Sequence, residues 1–274
     1  MQRILWRRVW LSIILILALG ESASVAEEVR FIYTGSSTAT VWRGVEQGLR
    51  EANILGGFTG YTYTVQTMSP EALLASEGDT PPLAVIAATD AGILPQLSAK
   101  FAPAGVAVFN LTSDDDALRQ ACQPNLLHIA PSAHMKADAV AQWHKKKPGA
   151  VVQAQAWHAD FTKFAARELN NRFRKAQEIP MDDDAWAGWV ALKILSEAVA
   201  RIQSTDPARI LTYLRTEMAF DGQKGVPHTF RDTGQLRQPL LLVEAGKLVG
   251  EAPVPGVAAS FNDLDSLGLT SCQR

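Results

Sequence analysis

Small hydroxyl, carboxamide and carboxylate side chains gather in three short segments, and they are the residues with the clearest chemical use. The candidate ligand-binding residues of these segments are Ser36, Ser37, Thr38, Thr89, Asp90, Asn110, Thr112 and Ser113. Such groups hydrogen-bond a polar ligand without filling its space. The same residue types also cap helices and form turns, so a structural role stays open for each of them.

Tryptophan offers a second kind of chemistry, since its ring can stack on a planar ligand. Trp42 and Trp157 each lie near the predicted start of a helix, where backbone N–H groups favour anions. Trp186 is a third candidate ligand contact. Each of these residues has an alternative role in the hydrophobic core.

The sequence carries no recognisable catalytic motif. It has no G-x-S-x-G nucleophile elbow, no glycine-rich phosphate loop and no His or Cys spacing typical of zinc. Two acidic triplets, Asp114–Asp116 and Asp182–Asp184, either cap helices or hold a hard metal ion such as calcium or a lanthanide. We therefore predict a binding protein without a cofactor, and not an enzyme.

Hydrophobic periodicity indicates which elements position these groups. Apolar strands are predicted at 29–33, 61–67, 82–88 and 105–109, with helices at 41–52, from Ser69-Pro70, at 90–101 and at 114–121. Strands that are apolar on both faces and alternate with helices form a parallel sheet. Ligands bind at the carboxyl ends of such strands, where the three polar segments lie.

The remaining chain continues this pattern and then changes character. The predictions are a strand at 126–129, helix Ala133–Lys146, a strand at 150–154, a helix from Trp157, helices from Asp182 and Asp206, and a hairpin at 240–250. The basic run at 145–147 is interpreted as a solvated helix end.

Composition and the chain start bear on location. The 274 residues carry a net charge of -2 and no long basic block, so we expect no nucleic-acid partner. Residues 1–26 combine arginines, a short apolar run and Ser24-Val25-Ala26, which predicts a cleaved secretory signal and no stable membrane insertion afterwards; an uncleaved anchor is the alternative. In an exported chain, Cys122 and Cys272 are either a disulfide or two unpaired thiols.

Four segments together resemble a known family. They begin at Phe109-Asn110, Asp183-Asp184, Gly234-Gln235 and Asn262-Asp263. The chain is similar to the type 1 periplasmic binding proteins of ABC transporters, and within them to the branch associated with alcohol dehydrogenases that depend on pyrroloquinoline quinone (PQQ). The family carries cysteines at both matching positions, so the resemblance implies a Cys122–Cys272 disulfide.

The resemblance implies an α/β fold with a Rossmann-like parallel sheet flanked by helices. Because the chain passes almost directly from Lys147 to Val151, we expect a truncated second lobe. The predicted division is a signal peptide at 1–26, a Rossmann-like lobe at 27–130, a helical segment with the second-lobe remnant at 131–217, and β segments with a tail at 218–274.

The implied function is that of a periplasmic solute-binding protein serving PQQ-dependent alcohol oxidation, with an ABC permease as partner. Its ligand would be a small polar or planar anionic solute such as PQQ, with Arg231 or Arg237 as cationic contacts. The alternatives are an accessory protein that binds a dehydrogenase or cytochrome, and a metal-binding protein.

Overall fold

The computed structural model describes residues 26–78 and 80–272, so the predicted signal segment lies outside the described residues except for Ala26. Five strands form the larger sheet: β1 (Glu27–Thr34), β2 (Tyr61–Thr67), β3 (Ala84–Ala87), β4 (Ala107–Asn110) and β5 (Leu126–His128). All of its pairings are parallel, in the order β2-β1-β3-β4-β5. Every residue of β3 and β4 is buried, which confirms the predicted helix-covered parallel sheet.

Eight α-helices accompany the strands in the described chain. They are α1 (Thr40–Thr59), α2 (Pro70–Ala75), α3 (Leu94–Phe101), α4 (Asp116–Gln120), α5 (Ala133–Lys146), α6 (Ala166–Gln177), α7 (Asp183–Ile202) and α8 (Pro207–Thr216). Side chains of Ser69, Asp115, Ser132, Asp182 and Asp206 accept hydrogen bonds from the first N–H groups of five of them. Within these residues, no helix is both long and apolar enough to cross a membrane.

Helices α1 and α7 cross at two glycines. A Cβ atom on Gly44 would lie 1.8 Å from the carbonyl oxygen of Ala185, and one on Gly188 would lie 2.2 Å from that of Val41. Only glycine therefore permits this backbone approach. The crossing fixes the start of α7 beside the start of α1, and both starts lie near the end of β1.

A second, smaller sheet is antiparallel, in the order β10-β9-β6. Its strands are β6 (Gln153–Gln155), β9 (Leu240–Glu244) and β10 (Lys247–Ala252), whereas β7 (Phe220–Asp221) and β8 (Pro227–His228) pair separately. Helix α5 packs on this sheet through Met135, Ala139 and Trp143. We call this sheet with α5 the second lobe, and the five-stranded sheet with its other helices the first lobe.

The prediction of a helix from Trp157 is wrong. The Trp157 N–H donates to the Asp183 carboxylate at 2.6 Å, and the Asn170 side chain donates to the carbonyl oxygens of Ala159 and Phe161. These contacts hold the segment as a loop, and α6 begins only at Ala166.

Two smaller boundaries also differ from the sequence prediction. Helix α1 continues past Gly56-Gly57 to Thr59, where Gly60 ends it with a left-handed φ of 80°. Helix α3 begins at Leu94 and not at Asp90.

The C-terminal tail packs back onto the rest of the chain. Cys122 and Cys272 form a disulfide, as predicted, across 150 residues of sequence. The Gln142 side chain of α5 donates to the Ser266 carbonyl oxygen at 3.1 Å. The tail thereby connects the first lobe to the helix of the second.

Candidate ligand-binding site

The carboxyl ends of the central strands lie level with one another. Thr34 at the end of β1 pairs with Ala87 of β3, which pairs with Asn110 of β4. The segments that follow, 35–39, 88–90 and 111–115, therefore leave the sheet at one edge. Parallel pairing brings the three predicted polar segments together, as the sequence indicated.

The segment after β1 is ordered by its own polar groups. The Tyr33 hydroxyl donates to the Ser36 carbonyl oxygen at 3.1 Å, and the hydroxyls of Ser36 and Thr38 lie 2.9 Å apart. Ser36, Ser37 and Thr38 are exposed. The ring of Trp42 is partly buried, with its centroid 4.9 Å from that of Tyr33. These side chains are positioned for a ligand above the sheet edge, and their contact with one stays a prediction.

Asn110 has a structural role instead of a free contact. Its side-chain oxygen accepts hydrogen bonds from the backbone N–H groups of Thr112 and Ser113. Its amide nitrogen donates to the Ser113 carbonyl oxygen and contacts Nδ1 of His128. Asn110 is fully buried, and the protein uses all of its hydrogen-bonding capacity. It shapes the segment after β4, while Thr112 remains exposed and Ser113 partly exposed beside Thr89 and Asp90 at the same edge.

The predictions that Trp157 and Trp186 contact a ligand are wrong. Trp157 is 1% exposed and Trp186 is 0% exposed. Their rings stack on each other at 5.9 Å with an interplanar angle of 10°. Each indole N–H has an internal acceptor, the Asn170 side chain and the Gly222 carbonyl oxygen respectively. Neither ring offers a face to a ligand, because both complete the core of the first lobe.

A cavity of about 520 Å³ lies where the second lobe meets the start of α7. Lys136, Ala137 and Val140 of α5 line one side, residues 152–155 along β6 line another, and Asp183 completes it. This volume is within the range of small-molecule sites. The Lys136 ammonium lies 3.0 Å from the Asp114 carboxylate, so the segment after β4 is connected to the cavity wall.

Asp183 and Lys136 line the cavity, and neither is among the ligand contacts predicted from the sequence. Asp183 belongs to an acidic triplet that was interpreted through capping, and Asp182 alone performs that role by accepting from the Ala185 N–H at 2.8 Å. Three carboxylates in one first turn are more than a single helix cap requires. The surplus is the feature of the sequence that could have indicated another role for Asp183. Lys136 carries no comparable signal, since nothing in its neighbourhood separates it from a surface lysine.

The electrostatics around Asp183 are unusual. Burial raises the pKa of Asp183 to about 6, although the Trp157 N–H and Lys224 act in the opposite direction. Burial lowers the pKa of Lys224 to about 7, opposed by the charge of Asp183. The Lys224 ammonium lies 3.9 Å from the centroid of the Trp186 ring and donates to the Gln238 side chain at 2.8 Å. Of these two groups only Asp183 lines the cavity, and a carboxyl group whose pKa is raised by burial at a cavity wall is typical of functional sites.

Each acidic triplet supplies the cap of the helix that follows it, through Asp115 for α4 and Asp182 for α7. Asp115 accepts from the Ala117 N–H at 2.8 Å, and Asp116 accepts from the His134 N–H at the start of α5. Within residues 26–78 and 80–272, no three acidic, histidine or cysteine side chains are grouped to hold a metal ion. The triplets therefore give no support to the metal-binding alternative.

The two arginines named as cationic contacts do not line the cavity. Arg231 is buried and donates to the Asp265 carboxylate at 2.9 Å, and Arg237 donates to the same carboxylate at 2.8 Å. Both arginines hold the C-terminal tail. Lys136 is the cation that the structure places at the cavity.

No family model matches the chain, and no curated protein matches it in sequence. Solved substrate-binding proteins do match its structure. An ABC transporter substrate-binding protein from Desulfitobacterium hafniense has a TM-score of 0.69 at 14% identity, covering 81% of this chain and 99% of that one.

Two further matches are structures with a bound ligand. A branched-chain amino acid transporter substrate-binding protein from Streptococcus pneumoniae, in complex with isoleucine, has a TM-score of 0.65 at 10% identity, covering 82% of this chain and 98% of that one. A solute-binding protein from R. palustris, in complex with benzoate, has a TM-score of 0.64 at 12% identity, with 82% and 95% covered. With its parallel sheet, its flanking helices and a cavity between two lobes, the chain has the fold of the type 1 substrate-binding proteins of ABC transporters.

Proposed function

We propose that this chain is the periplasmic substrate-binding component of an ABC transporter, and that it binds a small solute without catalysis. The observation that carries the proposal is the cavity at the junction of the two lobes, beside the carboxyl edge of the parallel sheet. Its wall combines a cation, Lys136, with a carboxylate, Asp183. The exposed hydroxyls of Ser36, Ser37 and Thr38 provide further polar contacts from the first lobe.

The solute that fits this chemistry carries a carboxylate. Lys136 would pair with that group, and Asp183 would pair with an amino group or a hydroxyl of the same ligand. The structural neighbours named above were solved with isoleucine and with benzoate, which are both carboxylates. PQQ, a planar polycarboxylate, is the finer proposal. It rests on the resemblance to the branch associated with PQQ-dependent alcohol dehydrogenases and on the partly exposed Trp42 as a stacking surface.

Binding is tested with residues 27–274 titrated separately with PQQ, isoleucine and benzoate. Saturable quenching of tryptophan fluorescence, accompanied by a rise in melting temperature, is expected for at least one of them. Lys136→Gln should weaken that binding about tenfold, because it removes a charge-assisted contact. Lys145→Gln, an exposed lysine of the same helix outside the cavity, is the matched control. Flat titrations with all three compounds would contradict the solute site.

A second function, an accessory protein that binds a dehydrogenase or cytochrome, is favoured by exposed apolar side chains. Ile54 and Phe58, one turn apart on α1, are 64% and 86% exposed, and Val151 beside the edge strand β6 is 81% exposed. The adjacent pair Ile54 and Phe58 is the candidate contact for such a partner. Phe58→Ser should abolish co-sedimentation with a PQQ-dependent dehydrogenase and leave solute binding unchanged if this function holds; an unaffected complex would contradict it.

A further inference from the structure

The second lobe has a groove at the other end of α5, away from the cavity. It encloses about 520 Å³ and is lined by residues 249–251 of β10 with Trp143, Lys146, Lys147, Lys163, Phe164 and Phe261. Since a helix rises 1.5 Å per residue, Lys146 lies about 15 Å along α5 from Lys136 of the cavity. The groove and the cavity are therefore separate places on the second lobe.

Trp143 forms one wall of the groove. A Cβ atom on Gly250 would lie 2.4 Å from the indole ring, so glycine at this position lets β10 pass directly beside the ring. The Lys147 ammonium lies 4.9 Å from the ring centroid, and Trp143 is only 5% exposed, so Trp143 closes the floor of the groove and offers no free ring face. The indole N–H of Trp143 is buried and has no hydrogen-bond partner in the described part of the chain, an arrangement that costs stability.

Phe164 forms another wall, and its backbone conformation is strained. Its φ of 54° lies in the left-handed region, where a residue other than glycine is strained, and its side chain is nevertheless 59% exposed. Its ring lies over Gly225, where a Cβ atom would lie 2.2 Å from the ring. A strained backbone that presents an aromatic ring to solvent contributes little to folding, and such strain collects at functional sites.

The groove carries excess positive charge. Lys146, Lys147 and Lys163 line it, and Glu251 is its one carboxylate among the described residues, paired with Lys163. Lys146 and Lys147 are exposed and have no carboxylate within ion-pair distance in the described chain. An anion is therefore the complementary charge, and the exposed ring of Phe164 favours a flat ligand.

We propose that this groove is a second binding site, for a planar aromatic anion that stacks on the exposed ring of Phe164, lies beside the edge of Trp143 and pairs with Lys146 and Lys147. This proposal does not depend on the solute proposed for the cavity. A binding site explains three features together. These are the glycines that make room for two aromatic rings, the strained and exposed Phe164, and the lysines that lack a carboxylate partner. Its ligand class is a carboxylate or sulfonate on one or two fused rings, which the volume of the groove accommodates.

The test uses residues 27–274 labelled with ¹⁵N and titrated with 2-naphthoate. The indole N–H signal of Trp143, assigned through Trp143→Phe, is expected to shift saturably. Phe164→Gly should weaken binding about tenfold without lowering the melting temperature, since it removes the ring and relieves the left-handed backbone. The cavity variant Lys136→Gln should leave the dissociation constant of 2-naphthoate at the groove unchanged.

Three results would overturn the proposal. The first is an unmoved Trp143 signal, including the case in which only the Trp42 signal shifts. The second is binding to Phe164→Gly as tight as to the parent protein. The third is equal weakening by Lys136→Gln, which would place the probe in the cavity. The double variant K146Q/K147Q, which changes only exposed side chains, provides a second expected tenfold loss, with K145Q as its control.

Discussion

The two lobes differ in how much structure holds them. The first lobe has five parallel strands covered on both faces, and its core includes the stacked Trp157 and Trp186. The second lobe has three antiparallel strands and one helix, and its sheet ends at the short edge strand β6. The cavity lies between them. The larger lobe contributes Asp183 to the cavity wall, and the smaller lobe contributes Lys136 and β6.

One of the largest expected effects comes from breaking the first lobe at its helix crossing. Gly44→Val should destabilise the protein by more than about 4 kcal/mol, because the added Cβ meets backbone and not a movable side chain. Urea unfolding followed by circular dichroism measures this. Gly57→Ala on the same helix has nothing within 4 Å of its Cβ and should be neutral or stabilising. Equal losses in the two variants would contradict the close crossing of α1 and α7.

The disulfide bears on the comparison of the two lobes, because the C-terminal tail that it anchors connects them. Replacing Cys122 and Cys272 together with alanine should cost about 3–4 kcal/mol, because the bridge closes a loop across 150 residues. Thermal unfolding with and without reductant gives the same comparison in the parent protein. A change below about 1 kcal/mol would show that packing of the tail through Gln142 and Arg231 suffices.

Acid should act on the first lobe selectively. Burial lowers the pKa of His228 to about 3, with a further contribution from Lys224, and also holds the pKa of His128 well below its usual range. A depressed pKa means that stability is fully present above about pH 6.5 and is lost as the pH falls toward 3.

The histidine effect is measured by comparing the free energy of unfolding at pH 7 and pH 4. His228→Phe should reduce the difference between the two values by about 2–3 kcal/mol relative to the parent protein. A difference in His228→Phe equal to that of the parent protein would contradict the assignment of acid sensitivity to this histidine.

The smallest expected effect is at the open edge of the second lobe. Val151→Lys should change stability by no more than about 0.5 kcal/mol, because Val151 is 81% exposed. Val85→Lys places the same charge in the first-lobe sheet and should prevent folding, since Val85 is fully buried. Urea midpoints for the first variant and soluble yield for the second separate the two cases.

The fold was predictable where neighbouring segments interact. The order of apolar strands and helices gave the parallel sheet, and the topology then placed Ser36 and Thr89 at one edge. The second sheet was harder, because β6 pairs with β9, whose Val243 pairs with Gln153 from about ninety residues further along the chain. No local pattern indicates such a pairing.

The sequence predicted that the three polar segments lie at one sheet edge, which the strand register confirms, whereas their contact with a ligand stays a prediction. Trp157 and Trp186 proved to be core, because a helical aromatic stripe has the same pattern whether or not it contacts a ligand. The position of Asp183 at the cavity was not apparent from the sequence, because its neighbour Asp182 already accounts for the acidic residues as a helix cap. Whether Lys136 faces a cavity or solvent depends on the packing of α5 against β6, which spacing alone does not show.

Hydrogen exchange with and without a bound solute tests the central claim most directly. The protein is saturated with whichever of PQQ, isoleucine or benzoate binds, and amide exchange is measured by mass spectrometry. The account predicts slower exchange on both sides of the cavity, in the first half of α5 and along β6 as well as in segments 35–39 and 111–115. Protection confined to the first lobe, or no saturable binding by any of the three compounds, would contradict a solute held between the lobes.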